Sequence, residues 1–278
     1  MIFLCGKFSL NLNRPCVMGI VNVTPDSFSD GGQYQATEAA VMHALDLVNQ
    51  GADILDVGGE STRPNATPVS LQEELDRVIP VIECLAKQIN IPISIDTYKP
   101  PVMQAAIQAG ASIVNDVRAL QEAGAMEVVA NSNAGVCLMH MQGTPQTMQD
   151  NPHYENVVSE VKEFLADRLK ASTHAGIGAE RILLDPGFGF GKTRAHNITL
   201  IQQLESLTEL GQPLLVGLSR KSVLGQVTGN DVTARLYASI AASTIAAMKG
   251  AKILRVHDVK ENVEALKVVS AIDLNNHE

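Results

Sequence analysis

The feature that most restricts the fold is a repeated unit in which a helical stretch ends on glycine and hands over to a short apolar run. Gly51, Gly110 and Gly250 each follow a segment of helical periodicity, and each precedes an alanine and then a strand-like run. Glycine in that place suits a left-handed helix cap. The strand-like runs cover 17–21, 54–57, 93–95, 112–114, 136–139, 182–184, 214–218 and 252–256. Helical segments lie between and after them at 37–50, 71–88, 101–109, 122–130, 154–174, 197–210, 233–249 and 259–271. In the first helix Ala40, Val41, Ala44, Leu45 and Val48 fall at three- and four-residue steps, which marks one buried face. Eight such units in 278 residues predict a (β/α)8 barrel rather than an open doubly wound sheet. Residues 2–14 alternate around Gly6-Lys7 and Asn11-Asn13 as a β-hairpin would, placed to plug the barrel's bottom. The length suits one barrel-sized domain or two ordinary ones. With no evident linker, a single domain over 1–278 is the expectation.

Charge and cysteines narrow the partners. A net charge of −9 with no basic stripe argues against nucleic acid or an acidic membrane, so any bound anion must be held locally. Cys5, Cys16, Cys84 and Cys137 are scattered, with neither a C-x-x-C pair nor metal-ligand spacing, and read as small apolar residues in a reduced state. The apolar start is too short for a signal peptide, and no stretch is long enough to span a membrane. A soluble cytoplasmic protein is expected.

In a barrel the carboxyl ends of the strands share one rim, and here every apolar run ends in polar chemistry. The rim residues are Asn22, Asp56, Asp96, Asn115 with Asp116, His140, Asp185, Ser219 with Lys221, and Arg255 with His257. Between Cys16 and Gly32 the chain passes from a buried strand into a long polar loop, an uncommon connection unless it carries function. Asp56, Asp96 and Asp185 close largely apolar runs, so each needs donors. A flat heterocycle presenting amino and lactam edges would supply them; backbone donors or Lys221 would serve equally if the aspartates were internal struts. Asn22, Arg63, Arg255 and His257 form a candidate anion cluster, and an Asn oxygen suits Mg2+, which keeps few protein ligands beside phosphate oxygens and water. Phe190 lies between two glycines, where an aromatic ring can close on a ligand ring or simply pack.

The stretch CVMGIVNVTPDSFSDGG from Cys16 resembles the N-terminal signature of dihydropteroate synthases, folate-pathway enzymes that join a pterin to p-aminobenzoate. The likeness continues through LDVGGESTRP from Leu55, SIDT from Ser94, Asn115-Asp116, LDPGFGF from Leu184, GLSRKS from Gly217 and RVHD from Arg255. By resemblance, Asp56, Asp96, Asn115, Met139, Asp185, Gly217, Lys221 and Arg255 would bind the pterin, with Arg255 offering a stacking face. Met139 fits a core position equally. Asn22, Arg63, Arg255 and His257 would hold the diphosphate, with Asn22 also contacting Mg2+. Phe28, Thr62, Pro64, Phe190, Ser219 and Lys221 would form the p-aminobenzoate pocket. The catalytic set implied is Asn22, Asp96, Asp185, Lys221, Arg255 and His257, acting by electrostatics with no nucleophilic side chain, and diphosphate leaving before the amine attacks. The resemblance also implies a homodimer, for which the small-residue stretch 238–247 is a packing face.

Rival readings have less support. A phosphate-binding loop at 187–193 would need glycine where Pro186 stands, and on the first strand rather than the sixth. A pterin-binding methyl-carrier barrel of the corrinoid methyltransferase type would lack the p-aminobenzoate half. A non-catalytic pterin or phosphate sensor differs only by absence of turnover. The loops 22–35 and 61–70 are expected to close over substrates and exclude water.

Overall fold

A computed structural model describes residues 1–23, 32–61, 66–144 and 147–274. Eight parallel strands close into a barrel in the order β10-β3-β4-β5-β6-β7-β8-β9. They are β3 (Cys16–Asn22), β4 (Ile54–Gly58), β5 (Ile93–Asp96), β6 (Ile113–Asp116), β7 (Gly135–Met139), β8 (Ile182–Asp185), β9 (Leu214–Val216) and β10 (Ala251–Val256). Ahead of them, β1 (Ile2–Cys5) and β2 (Phe8–Asn11) pair antiparallel. The helices are α1 (Gly32–Asn49), α2 (Leu71–Gln88), α3 (Pro100–Ala109), α4 (Ala125–Ala130), α5 (Val157–His174), α6 (Arg194–Gln202), α7 (Ser222–Thr228), α8 (Leu236–Met248) and α9 (Val259–Leu274). The expected barrel and hairpin are both present. Gly51, Gly110 and Gly250 have φ of 101°, 120° and 94°, the conformation their positions required.

Side-chain parity divides the molecule into two cores. On every strand alternate residues face opposite sides. Val17, Leu55, Val57, Ile95, Val114, Val136, Leu184, Val216 and Leu254 pack outward against the helices. Their neighbours Cys16, Met18, Ile54, Ile113, Cys137, Leu183, Leu215 and Ile253 meet inside the barrel, at its amino-terminal end. Phe3, Cys5 and Leu12 close that inner cluster from below. The plug is close-fitting: a Cβ added at Gly135 would lie 2.5 Å from the Phe3 ring and 3.1 Å from the Leu4 carbonyl oxygen. Gly6 N–H donates to Asn133 O at 2.7 Å, fixing the hairpin turn against the chain that enters β7.

Several boundaries differ from the sequence expectation for local reasons. The stretch 197–210 is not one helix: α6 begins at Arg194, capped by Thr193, and stops at Gln202, after which Leu204–Leu210 continues as a 3-10 helix. Helix α4 starts three residues later than read, because Gly124 at its N-cap has φ 90° and Ala119 and Leu120 are also left-handed. Helix α5 starts at Val157, where the Asn156 side chain accepts from the N–H groups of Val158 and Ser159. The stretch 233–249 yields α8 only from Leu236, Val232–Ala234 being a 3-10 turn under an Asp231 cap. Helix α7, seven residues closed by Gly229 at φ 79°, was not anticipated. Strand β9 covers only Leu214–Val216, short of the expected 214–218, and 217–221 form the rim loop between it and α7.

Candidate active site

Two residues above the apolar layer, the same inward parity brings a different chemistry into the barrel. Ile54 is followed on its face by Asp56, Ser94 by Asp96, Ile113 by Asn115, Cys137 by Met139, Leu183 by Asp185, Leu215 by Gly217 and Ile253 by Arg255. The pterin residues named from sequence on six of these strands, with Gly217 just past the end of β9, are therefore one layer. Arg255 organises it. Its Nε donates to Asp56 Oδ2 at 2.6 Å and its Nη2 to Asp96 Oδ2 at 2.7 Å, while Asn115 Nδ2 also donates to Asp56 Oδ2 at 3.1 Å. Gly217 lies against the arginine: a Cβ there would stand 3.7 Å from Arg255 Cβ, an ordinary contact.

The electrostatics are strained by burial and relieved by pairing. Burial pushes Asp96 up to about 7 against the pull of Arg255. Burial also raises Asp185, opposed by Lys221 and by the Gly187 N–H that donates to Asp185 Oδ1 at 2.7 Å. Lys221 is brought down to about 8 by burial, with Asp185 opposing. Burial works against the Arg255 charge, yet Asp56 and Asp96 overcome it and hold the guanidinium above its ordinary value. Asp56 is wholly buried, and its Oδ1 meets no hydrogen-bond donor among the described residues. An unpaired carboxylate oxygen inside a barrel is a ready acceptor for a donor-bearing ligand.

Around the rim, the GLSRKS and RVHD segments interlock. His257 N–H donates to Ser219 Oγ at 3.1 Å, and its Nδ1 lies 3.0 Å from the same oxygen. Arg220, at φ 58°, grips Asp258 through Nε at 3.1 Å and Nη2 at 2.5 Å. Lys221 Nζ donates to the Phe188 carbonyl and stands 4.7 Å from the Phe190 ring centroid. Asn22 ends β3 beside Gly58 with its side chain exposed. Phe28, Thr62, Arg63 and Pro64 lie outside the described residues, as do 24–31 of the first long loop and 62–65 of the second.

Two rim candidates turn away. Asp116 has outward parity; its carboxylate accepts from the N–H groups of Arg118 and Leu120 at 2.8 and 2.7 Å, and burial raises it to about 6. It is a strut for the β6-α4 loop. His140 also leaves the barrel interior and meets Lys192. Lys192, considered from sequence only as a failed phosphate-loop lysine, and Lys99, which ties Glu60, Glu74 and the Val69 carbonyl together, were both missed. For Lys192 the three glycines before it were the available signal; for Lys99 the sequence holds none.

A donor set for Mg2+ is sparse. Among the described residues no group of three His, Cys, Asp or Glu side chains is placed to hold a metal. The exposed amide of Asn22 at the mouth fits an ion bound mainly by phosphate oxygens and water, with one protein ligand.

The family model described as pterin binding enzyme matches residues 18–257. The dihydropteroate synthase of Escherichia coli K12 is 52% identical over 263 residues, covering 95% of this chain and 93% of that protein. Among solved structures, the Xanthomonas albilineans dihydropteroate synthase with 4-aminobenzoic acid superposes with a TM-score of 0.93 at 53% identity, covering 98% of both chains. The same organism's enzyme in complex with 7,8-dihydropteroate gives a TM-score of 0.88 at 47% identity, again covering 98% of both. Sequence and architecture thus agree over almost the full length, and this chain belongs to the pterin-binding enzymes as a member of the dihydropteroate synthase family.

Proposed function

We propose that this chain is a transferase that condenses 6-hydroxymethyl-7,8-dihydropterin diphosphate with p-aminobenzoate, giving 7,8-dihydropteroate and diphosphate, and that it does so as one barrel domain spanning 1–278. The observation that carries this reading is the inward layer of Asp56, Asp96, Asn115, Asp185 and Arg255, with the buried Asp56 Oδ1 lacking a donor. A pterin offers amino and ring N–H donors to the carboxylates and acceptors to Asn115 and Lys221. Arg255 has two of its N–H donors engaged by carboxylates, which fixes the guanidinium plane and leaves a flat face for a ring to stack on.

The chemistry breaks the bond from the pterin methylene to the diphosphate oxygen and forms one from that methylene to the amine nitrogen, which gives up a proton to solvent. Asp96 and Asp185 stabilise positive charge on the pterin methylene, and His257 and Arg255 stabilise the departing diphosphate, a role that the family resemblance also assigns to Arg63. Mg2+, held by Asn22 and the diphosphate, would supply charge neutralisation for the leaving group. The p-aminobenzoate ring lies against Phe190, near Ser219 and Lys221, and the family resemblance alone assigns Phe28, Thr62 and Pro64 to the same pocket. In the proposed order diphosphate leaves first; that order fails if labelled diphosphate never exchanges into the pterin substrate without p-aminobenzoate.

We also propose a cytoplasmic homodimer. Tyr237, Ile245 and Met248 on α8 and Val268 and Ile272 on the adjoining α9 are exposed apolar side chains, which supports a second copy packing there. The four free thiols suit a reducing compartment. No described helix is long and apolar enough to cross a membrane.

The test is product formation from the two substrates with Mg2+, beside Asp96→Asn and Phe190→Ala. The reading expects wild-type turnover, loss through pterin handling in the first variant, and a raised KM for p-aminobenzoate in the second. Pterin binding without turnover overturns it.

A further inference from the structure

The segment from Gly187 to Lys192, between β8 and α6, turns its backbone carbonyls toward donors, and every one is occupied. Gly187 O accepts from Lys192 Nζ at 3.0 Å and from Phe190 N–H at 3.1 Å. Phe188 O accepts from Lys221 Nζ, Gly189 O from Gln149 Nε2 at 2.7 Å, and Phe190 O from Lys192 Nζ at 3.1 Å. Gly191 O accepts from Tyr154 Oη at 2.8 Å and Lys192 O from Asn197 Nδ2 at 3.2 Å. The N–H groups of Gly187 and Gly189 go to Asp185 and Asn197. A phosphate-binding loop does the reverse, offering N–H groups to an anion with its lysine reaching forward. Here the lysine bends back onto its own loop. Gly187, Gly189 and Gly191 have φ of 67°, 81° and 62°, and a Cβ at Gly187 would land on the His140 carbonyl oxygen. Only glycine permits this path.

Lys192 is 3% exposed, so its charge must be matched where it stands. An ammonium has three protons, and three close acceptors surround it: Gly187 O, Phe190 O and His140 Nδ1 at 2.8 Å. For that nitrogen to accept, the imidazole must be neutral with its proton on Nε2. Burial and the neighbouring ammonium bring His140 down to about 3, which keeps it in that form. The ring is held edge-on to Phe164 at 4.9 Å. Burial brings Lys192 well below its ordinary value, and Asp185 is the nearby countercharge that opposes the fall.

We propose that Lys192, braced by His140, is a positioning residue for the p-aminobenzoate side of the site. By gripping the carbonyls of Gly187 and Phe190, it sets where the Phe190 ring stands over the Lys221 ammonium. This rests on the reading of Phe190 and Lys221 given above. The coupling is short: Lys221 is bonded to the same loop, and a Cβ at Gly189 would come within 3.3 Å of Lys221 Cδ.

The experiment compares wild type with Lys192→Met, His140→Leu and His140→Gln, reading steady-state kinetics for both substrates and amide hydrogen exchange across 187–192 without ligand. Lys192→Met is expected to raise the KM for p-aminobenzoate about tenfold while the KM for the pterin diphosphate stays within about twofold, the scale of a small misplacement. Exchange at Gly189 and Phe190 should quicken with it. His140→Leu should shift the same quantities, and His140→Gln, whose amide oxygen can accept from Lys192, should restore them. That pair also decides the matter if Lys192→Met fails to fold. An unchanged KM for p-aminobenzoate with unchanged exchange overturns the proposal. So does an equal rise in both KM values with no rescue by His140→Gln, which marks general packing. If wild type shows no turnover the substrate reading falls, and the exchange data alone then test the positioning: faster exchange supports it and unchanged exchange removes it.

Discussion

The two ends of the barrel are built from the same strands, two residues apart, and hold opposite chemistry. At the bottom, Met18, Ile54, Ile113, Cys137, Leu183, Leu215 and Ile253 fill the lumen, and Phe3, Cys5 and Leu12 seal it. At the top, Asp56, Asp96, Asn115, Asp185 and Arg255 occupy the inward positions two residues further along five of the strands and fill the lumen with polar and charged groups. The bottom needs nothing from outside to be complete. The top is paired only in part, since Asp56 Oδ1 is buried without a donor and Asp96, Asp185 and Lys221 are all displaced from their ordinary pKa by burial. The lesson is a division of labour: packing below holds strands in register so that desolvated charges above can be kept at fixed separations for a ligand.

The strongest way to break this division is to damage the bottom and look for an effect at the top. Phe3→Ala should cost about 3–5 kcal/mol in urea unfolding, as deletion of a buried aromatic does, while kcat/KM per folded molecule is unchanged. A matching fall in kcat/KM would show that the plug shapes the site. The converse cut is Lys221→Met. Turnover should fall about 100- to 1,000-fold, the scale seen when one preorganised electrostatic donor is lost, with a stability cost smaller than that of Phe3→Ala, because relief of the desolvated ammonium offsets the countercharge taken from Asp185. A variant that lost stability and activity together would merge the two ends.

Acidity sharpens the same contrast with a smaller effect. Lys221 titrates near 8 in the folded protein, below its ordinary value of 10.5. Between those values the unfolded chain binds more protons than the native one, so the contribution of Lys221 to unfolding free energy rises with pH. The penalty for its buried charge is present in full below about 8 and is relieved as pH climbs toward 10.5. Wild type should therefore gain stability relative to Lys221→Met across that window in urea titrations, and parallel curves would show that the ammonium is not desolvated. Turnover should decline over the same alkaline limb, as the donor beside Phe188 and Phe190 loses its proton.

Much of this was legible before any coordinates. Apolar runs closed by Asp, Asn or Arg announce strands whose carboxyl ends form a site, and α2 (Leu71–Gln88) runs between the residues its periodicity indicated. Counting by twos from Asn115 and Met139 would also have turned Asp116 and His140 outward, because side-chain direction alternates. What could not be read is pairing that exists only after closure. Arg255 meets Asp56 across 199 residues, and Lys192 finds His140 across 52. The break after α6 was hidden for a different reason: Leu200, Leu204 and Leu207 are buried whether the backbone is α or 3-10, so their spacing does not distinguish the two.

The finest test asks where one end stops and the other begins. Ser94 sits at the boundary, on the inward face of β5, level with Asp56 in register, where most other strands place a larger apolar residue in the layer below the charges. Its Oγ is buried without a hydrogen-bond partner among the described residues. A buried hydroxyl with no partner has lost its hydration for nothing, so Ser94→Ala should leave stability unchanged or raise it by up to about 1 kcal/mol. If the variant instead loses about 1 kcal/mol or more, Ser94 is bonded through a trapped water, with the orphaned Asp56 Oδ1 as the natural second partner. The polar chemistry would then extend one layer, two residues, deeper on β5 than on its neighbours. A pterin-binding measurement on the same variant separates the cases further: a dry boundary leaves affinity untouched, whereas a shared water would link Ser94 to the carboxylate that meets the ligand, and affinity would fall with stability.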